Sequence, residues 1–123
     1  MLRRVYCGLL AGLLLADGLV RAEERSFDSR GVKISYTVEG RGEPVVLIHG
    51  FAINAQFNWA LGGISKELAK NYQVIALDNR GHGKSDKPYD PKQYGMEMVD
   101  DVVRLLDHQI GRASCRERVY VLV

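Results

Sequence analysis

Cysteine and histidine are scarce in this sequence. The 123 residues include two cysteines, Cys7 and Cys115, and three histidines with no two at the spacing of metal ligands. Both cysteines lie outside residues 23–109, so this central stretch has no disulfide framework, no thiolate nucleophile and no cysteine-ligated zinc. We therefore expect that the protein uses no metal and no cofactor.

An excess of charge of one sign is also lacking. The formal net charge of +2 divides into +2 for residues 1–22, −2 for residues 23–109 and +2 for residues 110–123. The central stretch is mildly acidic and has no basic stripe, which argues against a nucleic-acid partner. A content of 46% hydrophobic and 26% charged residues is ordinary for a globular protein and excludes collagen-like and disordered chains.

No apolar run is long enough to span a membrane. Arg3 and Arg4 precede an apolar run over residues 5–16, whereas a spanning helix needs about 20 residues. A basic start, a short apolar middle and the small residues around Ala22 are typical of a secretory signal peptide over residues 1–22. We predict cleavage near Ala22, export to the periplasm or medium, and no stable membrane association beyond this peptide. The alternative is an uncleaved membrane anchor.

Three segments of residues 23–109 have strand patterns. Apolar and polar residues alternate from Val32 to Val38, and with residues 26–28 they predict a β-hairpin that has one wet face. Val45–Ile48 and Val74–Leu77 are continuous apolar runs, which predict strands covered on both faces.

Two further segments carry apolar residues at helical spacing. A helix is predicted from about Asn58 to Lys70, although Gly62-Gly63 weakens it; its apolar stripe is Trp59, Leu61, Ile64 and Leu68. A second helix is predicted from about Met96 to His108. Its predicted buried face is Val99, Val102, Val103 and Leu106, with Asp100, Asp101, Arg104 and Asp107 around it. The order of elements predicts an α/β fold, a β-hairpin followed by parallel strand–helix–strand–helix.

The loops that follow the two buried strands carry the sequence's most distinctive motifs. Residues 44–51, PVVLIHGF, resemble the third strand and oxyanion-hole loop of the α/β-hydrolase superfamily, of the AB hydrolase-1 type. Residues 74–88, VIALDNRGHGKSDKP, resemble its fourth strand and its Asp-x-Arg-Gly-x-Gly-x-Ser loop. The resemblance implies the N-terminal portion of an α/β-hydrolase fold and a small-molecule substrate.

The resemblance also implies a role for each loop residue. The backbone N–H of Phe51 would supply half of an oxyanion hole, and Gly50 would let the chain turn sharply and approach the substrate. The other matching residues would be structural; they are His49, Gly50, Asp78, Arg80, Gly81, His82, Gly83 and Ser85. The residue types alone leave open a general base at His49 or Asp78 and a His82–Ser85 dyad.

The catalytic nucleophile of the superfamily lies on a Gly-x-Ser-x-Gly elbow, and no such pattern occurs in the 123 residues. The acid and the catalytic histidine follow this elbow in the family. We therefore expect the chain by itself to be inactive and its fold to be truncated before the nucleophile elbow. Residues 110–119 resemble a translated sequencing adapter, so we interpret 110–123 as a non-native tail. The alternative is that residues 119–123 are a genuine fifth strand.

These observations favour an exported hydrolase that acts on an ester or similar small acyl substrate. Ala52 follows Phe51 where the family's epoxide hydrolases and haloalkane dehalogenases usually have proline, which favours a serine over an aspartate nucleophile. Because a fold does not fix a function, a non-catalytic binding protein remains an alternative. A truncated gene model without function is the third interpretation.

Overall fold

The computed structural model describes residues 21–111 and 119–123. The predicted signal peptide lies almost entirely outside them. Among the described residues, no helix has the length and apolar character needed to cross a membrane. The strands form one mixed sheet in the order β1-β2-β4-β3-β5. They are β1 Glu23–Ser29, β2 Val32–Glu39, β3 Glu43–Ile48, β4 Tyr72–Leu77 and β5 Tyr120–Leu122.

The first two strands form the predicted hairpin. They pair antiparallel from Glu23 opposite Val38 to Ser29 opposite Val32. Arg30 and Gly31 connect them with φ of 54° and 83°, the positive values that a two-residue type I′ turn requires. β2 then pairs antiparallel with β4, whereas β3 lies parallel to both β4 and β5. The predicted fold class is thus confirmed.

The core lies on both faces of this sheet, because successive side chains of β3 and β4 point in opposite directions. On one face, Val46, Ile75 and Leu77 pack with residues of the hairpin and with Leu105. On the other face, residues of the first helical segment cover Val45, Leu47, Val74 and Ala76. Both central strands are therefore buried on two sides, as their continuous apolar runs predict.

The predicted helix over residues 58–70 is wrong in its continuity. The structure has a π-helical segment, Gln56–Ala60, and a separate short helix α1, Ile64–Leu68. Between them Gly63 adopts a left-handed conformation with φ of 76°, which interrupts the helical hydrogen bonds. Leu61 and Ile64 of the predicted apolar stripe are exposed, because the break turns them away from the sheet.

The second helix, α2, runs from Met96 to Ile110 after a short 3₁₀ turn at Pro91–Gln93. Of its predicted buried face, Val102 and Leu106 are partly buried and pack against the core, whereas the prediction is wrong for Val99 and Val103. Val99 and Val103 are 53% and 49% exposed, whereas Leu105 is fully buried. Asp101, which the apolar pattern places at the side, is also buried. The helix turns this way because Asp101 has a charged partner inside the protein.

A fifth strand closes the described part of the sheet. Tyr120–Leu122 lies parallel to β3, with Val45 opposite Tyr120 and Leu47 opposite Leu122. Residues 112–118, which include most of the segment that resembles an adapter, lie outside the described residues. The non-native origin of residues 110–123 stays a prediction.

Candidate functional site

The two loops singled out in the sequence lie side by side. β3 and β4 are parallel neighbours, with Ile48 opposite Leu77 at their carboxyl ends. His49–Ala52 and Asp78–Ser85 therefore leave the sheet at the same edge, where open α/β sheets place their ligands.

His49 joins the two loops from a buried position. Its Nε2 accepts a hydrogen bond from the backbone N–H of Asn79 at 3.0 Å, and its Nδ1 lies 2.8 Å from the carbonyl oxygen of Gly50. The side-chain amide of Asn79 donates in return to the carbonyl oxygen of His49 at 3.3 Å. With both ring nitrogens engaged, the imidazole is not placed to abstract a proton from a substrate.

The carboxylate of Asp78 is occupied by two backbone donors. Oδ1 accepts from the N–H of Ala55 and Oδ2 from the N–H of Lys84, each at 2.9 Å. A carboxylate with two such charge-assisted hydrogen bonds fixes the loops that carry the donors. Asp78 thus ties the end of the oxyanion-type loop to the loop that follows β4.

Ser85 is buried and its hydroxyl is likewise engaged. Its Oγ donates to the carbonyl oxygen of Asp78 at 2.6 Å and accepts from the N–H of Ser35 at 2.9 Å. The backbone N–H of Ser85 donates to the carbonyl oxygen of His82 at 3.1 Å, but the imidazole of His82 is engaged elsewhere. Its Nδ1 lies 3.1 Å from the carbonyl oxygen of Arg80, and its ring meets the ring of His49 edge to face. The structure therefore does not bring His82 and Ser85 together as a dyad.

The glycines of this loop allow a close approach of backbone to side chain. Gly83 has a φ of 49°, and a Cβ there would clash with Oδ2 of Asp78. A Cβ on Gly81 would lie 2.9 Å from the ring of Tyr94. Gly83 needs glycine because the loop folds tightly over the Asp78 carboxylate, and Gly81 needs it because the ring of Tyr94 packs against its Cα.

Arg80 is turned inward and lies at the centre of a buried polar cluster. Its Nε and Nη2 donate to the two carboxylate oxygens of Asp101, each at 2.6 Å, while Nη1 donates to the carbonyl oxygen of Gln93 at 2.5 Å. The hydroxyl of Ser29 donates to Asp101 as well, at 2.5 Å. The hydrogen bond with Asp101 raises the pKa of Arg80 above its usual value, although burial opposes this shift. Arg80 stays charged and anchors the loop to α2.

The backbone of the first loop turns at Ala52. Gly50 does not have a positive φ and would accommodate a Cβ, so the expectation that it makes the sharp turn is wrong. Ala52 has a φ of 59°, which places the tight turn two residues later. Between them, Phe51 is 96% exposed. Its N–H has no acceptor among residues 21–111 and 119–123 and is free to bind a ligand oxygen.

The left-handed conformation of Ala52 predicts opposite effects for two substitutions. Ala52→Gly should leave the free energy of unfolding unchanged or raise it. Glycine removes the steric cost of a left-handed Cβ, about 1–2 kcal/mol, but it also gives the unfolded chain more conformational entropy, which offsets part of that gain. Ala52→Pro should lower the free energy of unfolding by more than about 1 kcal/mol, because proline fixes φ near −65°. Urea unfolding of both variants measures this difference. Equal stability of the two variants would contradict the loop geometry.

Asp101, Asn79 and Ser29 are structural partners that the sequence reasoning missed. Their partners lie 21 to 72 residues away along the chain, beyond the reach of any local pattern. One signal was available for Asp101, since it precedes the buried Leu105 by four residues and so shares its face of α2.

The site as described can donate hydrogen bonds to an oxygen atom. The hydroxyl of Ser85 and the carboxylate of Asp78 are both committed to the backbone, so neither is a nucleophile. Within the described ranges, no group of three or more His, Cys, Asp or Glu side chains could hold a metal ion.

Known proteins share this arrangement of strands and loops. Residues 43–113 match a family model described as alpha/beta hydrolase fold. The chain is 40% identical over 65 residues to 2-hydroxy-6-oxo-6-(2'-aminophenyl)hexa-2,4-dienoic acid hydrolase of Metapseudomonas resinovorans, covering 53% of this chain and 22% of that protein. It is 39% identical over 96 residues to cis-3-alkyl-4-alkyloxetan-2-one decarboxylase of Shewanella oneidensis, covering 76% and 29%.

Solved structures agree with these matches. A mutant epoxide hydrolase of Vigna radiata superposes with a TM-score of 0.68 at 25% identity, over 81% of this chain and 30% of that chain. This chain therefore spans less than a third of the length of each of these three proteins.

Proposed function

Since the chain belongs to the α/β-hydrolase family, we propose that it is the N-terminal part of an exported hydrolase whose Phe51 N–H stabilises an oxyanion. The observation that carries this proposal is the free N–H of Phe51 at the carboxyl end of β3, in a loop fixed by His49 and Asp78. Attack on an acyl carbonyl places negative charge on its oxygen. A fixed backbone donor stabilises this charge without reorganisation.

The rest of the catalytic machinery is proposed to come from outside these 123 residues. A nucleophile on an elbow after the fifth strand would attack the carbonyl, and a histidine would transfer the proton. On this proposal the 123-residue chain alone should hydrolyse p-nitrophenyl esters no faster than a buffer blank. Ser85 should not act as a nucleophile in its place, because this residue is buried.

An ester or similar acyl substrate is favoured by the conformation at Ala52. Its φ of 59° is inaccessible to proline, the residue that the family's epoxide hydrolases usually have there. The loop therefore differs from the pattern that accompanies an aspartate nucleophile. A second candidate is epoxide hydrolysis, which the likeness to the Vigna radiata enzyme supports.

The identity of the nucleophile separates these candidates. Long-read sequencing of the parent DNA beyond codon 109 should reveal a frame that continues into Gly-x-Ser-x-Gly. The full-length product should then hydrolyse p-nitrophenyl esters in preference to styrene oxide. An aspartate on the elbow together with epoxide turnover would instead support the second candidate. An elbow without Ser, Asp or Cys would support a binding protein.

The role of Phe51 is tested in that full-length product. Phe51→Pro removes the N–H donor and should lower kcat by about 10²- to 10³-fold. Phe51→Leu keeps the donor and is the matched control, with kcat expected within a few-fold of the parent. If the two variants were equally active, the backbone N–H of Phe51 would not be the oxyanion donor.

A further inference from the structure

Two imidazoles meet between the loops of the site. The ring centroids of His49 and His82 are 5.0 Å apart, with the rings inclined at 61°. Each Nδ1 lies within hydrogen-bond distance of a backbone carbonyl oxygen, that of Gly50 for His49 and that of Arg80 for His82. The two histidines differ at their other nitrogen, and this difference gives them different responses to a proton.

His49 is held in one neutral tautomer. Its Nε2 faces the N–H of Asn79 at 3.0 Å, so this nitrogen must carry a lone pair and not a hydrogen. The proton of the neutral ring therefore resides on Nδ1, from which it is donated to the carbonyl oxygen of Gly50 at 2.8 Å. The ring is 3% exposed, so no bulk water replaces either bond.

His82 has no such constraint. Its Nδ1 lies 3.1 Å from the carbonyl oxygen of Arg80, and its Nε2 has no hydrogen-bond partner in the part of the chain that the structure describes. The residue lines an open depression of about 640 Å³ between the two loops. A proton gained at Nε2 of His82 breaks no hydrogen bond.

We propose that His49 is an acid-sensitive clamp on the loop that carries the Phe51 N–H. A proton at Nε2 of His49 would place an N–H group opposite the backbone N–H of Asn79. Because two donors cannot bond to each other, the hydrogen bond to Asn79 would be lost. The clamped form thus binds fewer protons than the released form, and the released form gains population as the pH falls.

The charged groups around His49 do not supply a counter-ion for its protonated form. On the loop after β4, the carboxylate of Asp78 is bound to the N–H groups of Ala55 and Lys84, and Arg80 is paired with Asp101 of α2. The segment Gln56–Ala60 carries no charged residue. His82, whose ring lies 5.0 Å from that of His49, and Lys87, which lines the same depression as His82, can carry only positive charge, so neither is a counter-ion.

The test is nuclear magnetic resonance of the ¹⁵N-labelled 123-residue chain from pH 8 to 5. The imidazole ¹⁵N shifts should show the Nδ1–H tautomer for His49 at pH 8. The hydrogen-exchange protection factor of the Asn79 amide should fall about tenfold or more as His49 gains a proton, because one buried hydrogen bond is lost. Constant protection of the Asn79 amide from pH 8 to 5, whether or not His49 gains a proton, or an Nε2–H tautomer, would overturn the proposal.

Two variants separate the histidines. His49→Gln keeps an acceptor oxygen but cannot titrate, so the protection of Asn79 should become independent of pH. His82→Asn is the matched control and should leave the pH dependence in place; if it abolished that dependence, His82 would be the sensor and the proposal would be wrong. The ring shifts and the His82 variant remain decisive if His49→Gln does not fold.

Only the consequence for catalysis rests on the proposed function. Opening of the clamp would move the Phe51 N–H and reduce activity of the full-length protein in acid. The exchange measurement requires no turnover, so a protein without esterase activity would overturn the proposed function and leave the clamp standing.

Discussion

Replacement of Asp101 by asparagine is expected to lower the free energy of unfolding by about 3–5 kcal/mol. The guanidinium of Arg80 is 2% exposed, and both carboxylate oxygens of Asp101 accept hydrogen bonds from it. The variant keeps the size of the side chain but removes the carboxylate that binds this guanidinium directly. The carboxylate that remains near Arg80 is that of Glu97, which is 3.9 Å away and about one-third exposed. Removal of one partner of a buried ion pair destabilises a protein far more than replacement of both partners by apolar residues, because the charge that is left stays desolvated without full compensation. Urea unfolding followed by circular dichroism measures the change.

The neighbouring Asp100 provides the control for this experiment. Its side chain is about half exposed and forms an ion pair with Arg104 at 3.4 Å. Asp100→Asn should cost no more than about 0.5 kcal/mol, as is usual for exposed pairs one helical turn apart. The double variant Arg80→Met/Asp101→Leu should be more stable than Asp101→Asn, because it buries no unpaired charge. Equal costs for Asp100→Asn and Asp101→Asn would show that α2 does not present Asp101 to Arg80.

The Leu105→Ala variant is expected to lose about 2–5 kcal/mol of stability. Leu105 is fully buried, and it packs against the hairpin and the central strands on one face of the sheet. Removal of its isobutyl group leaves a cavity among side chains that are fixed by two β-strands, so the space does not close easily. The same unfolding experiment measures this loss.

Val103 tests the rotation of α2 directly. It belongs to the face that the apolar pattern predicts as buried, yet it is 49% exposed. Val103→Ala should change stability by no more than about 0.5 kcal/mol, since alanine also has the higher helix propensity. If Val103→Ala lowered the free energy of unfolding more than Leu105→Ala does, Val103 would be the buried residue, as the apolar pattern of the sequence predicts.

The strands were predicted well because a few consecutive residues are enough to indicate a strand. Continuous apolar runs at Val45–Ile48 and Val74–Leu77 identify strands that are covered on both faces, and the structure has them within β3 and β4. The prediction of one continuous helix over residues 58–70 was wrong because of two neighbouring residues. Gly62 and Gly63 allow a left-handed break that competes with an unbroken helix, and the sequence alone did not show which conformation prevails.

The location of the candidate site could also be predicted, since parallel strands end at the same edge of a sheet. The contacts within it could not. The hydrogen bond between His49 and the N–H of Asn79, and the two bonds accepted by Asp78, depend on distances across the loops. The left-handed conformation of Ala52 is unusual for a residue with a Cβ, so the conformational preference of alanine does not predict it.

The sequence by itself determined the order of strands and helices, the family and the two loops that form the site. These follow from periodicity, from runs of apolar residues and from motifs that are contiguous along the chain. The tertiary structure alone decided which side of α2 is buried, which tautomer His49 adopts and where the first loop turns. Each depends on a partner that is remote in sequence, as Arg80 is for Asp101 and Asn79 is for His49. A buried charge or a buried ring nitrogen must be paired, and only folding determines its partner.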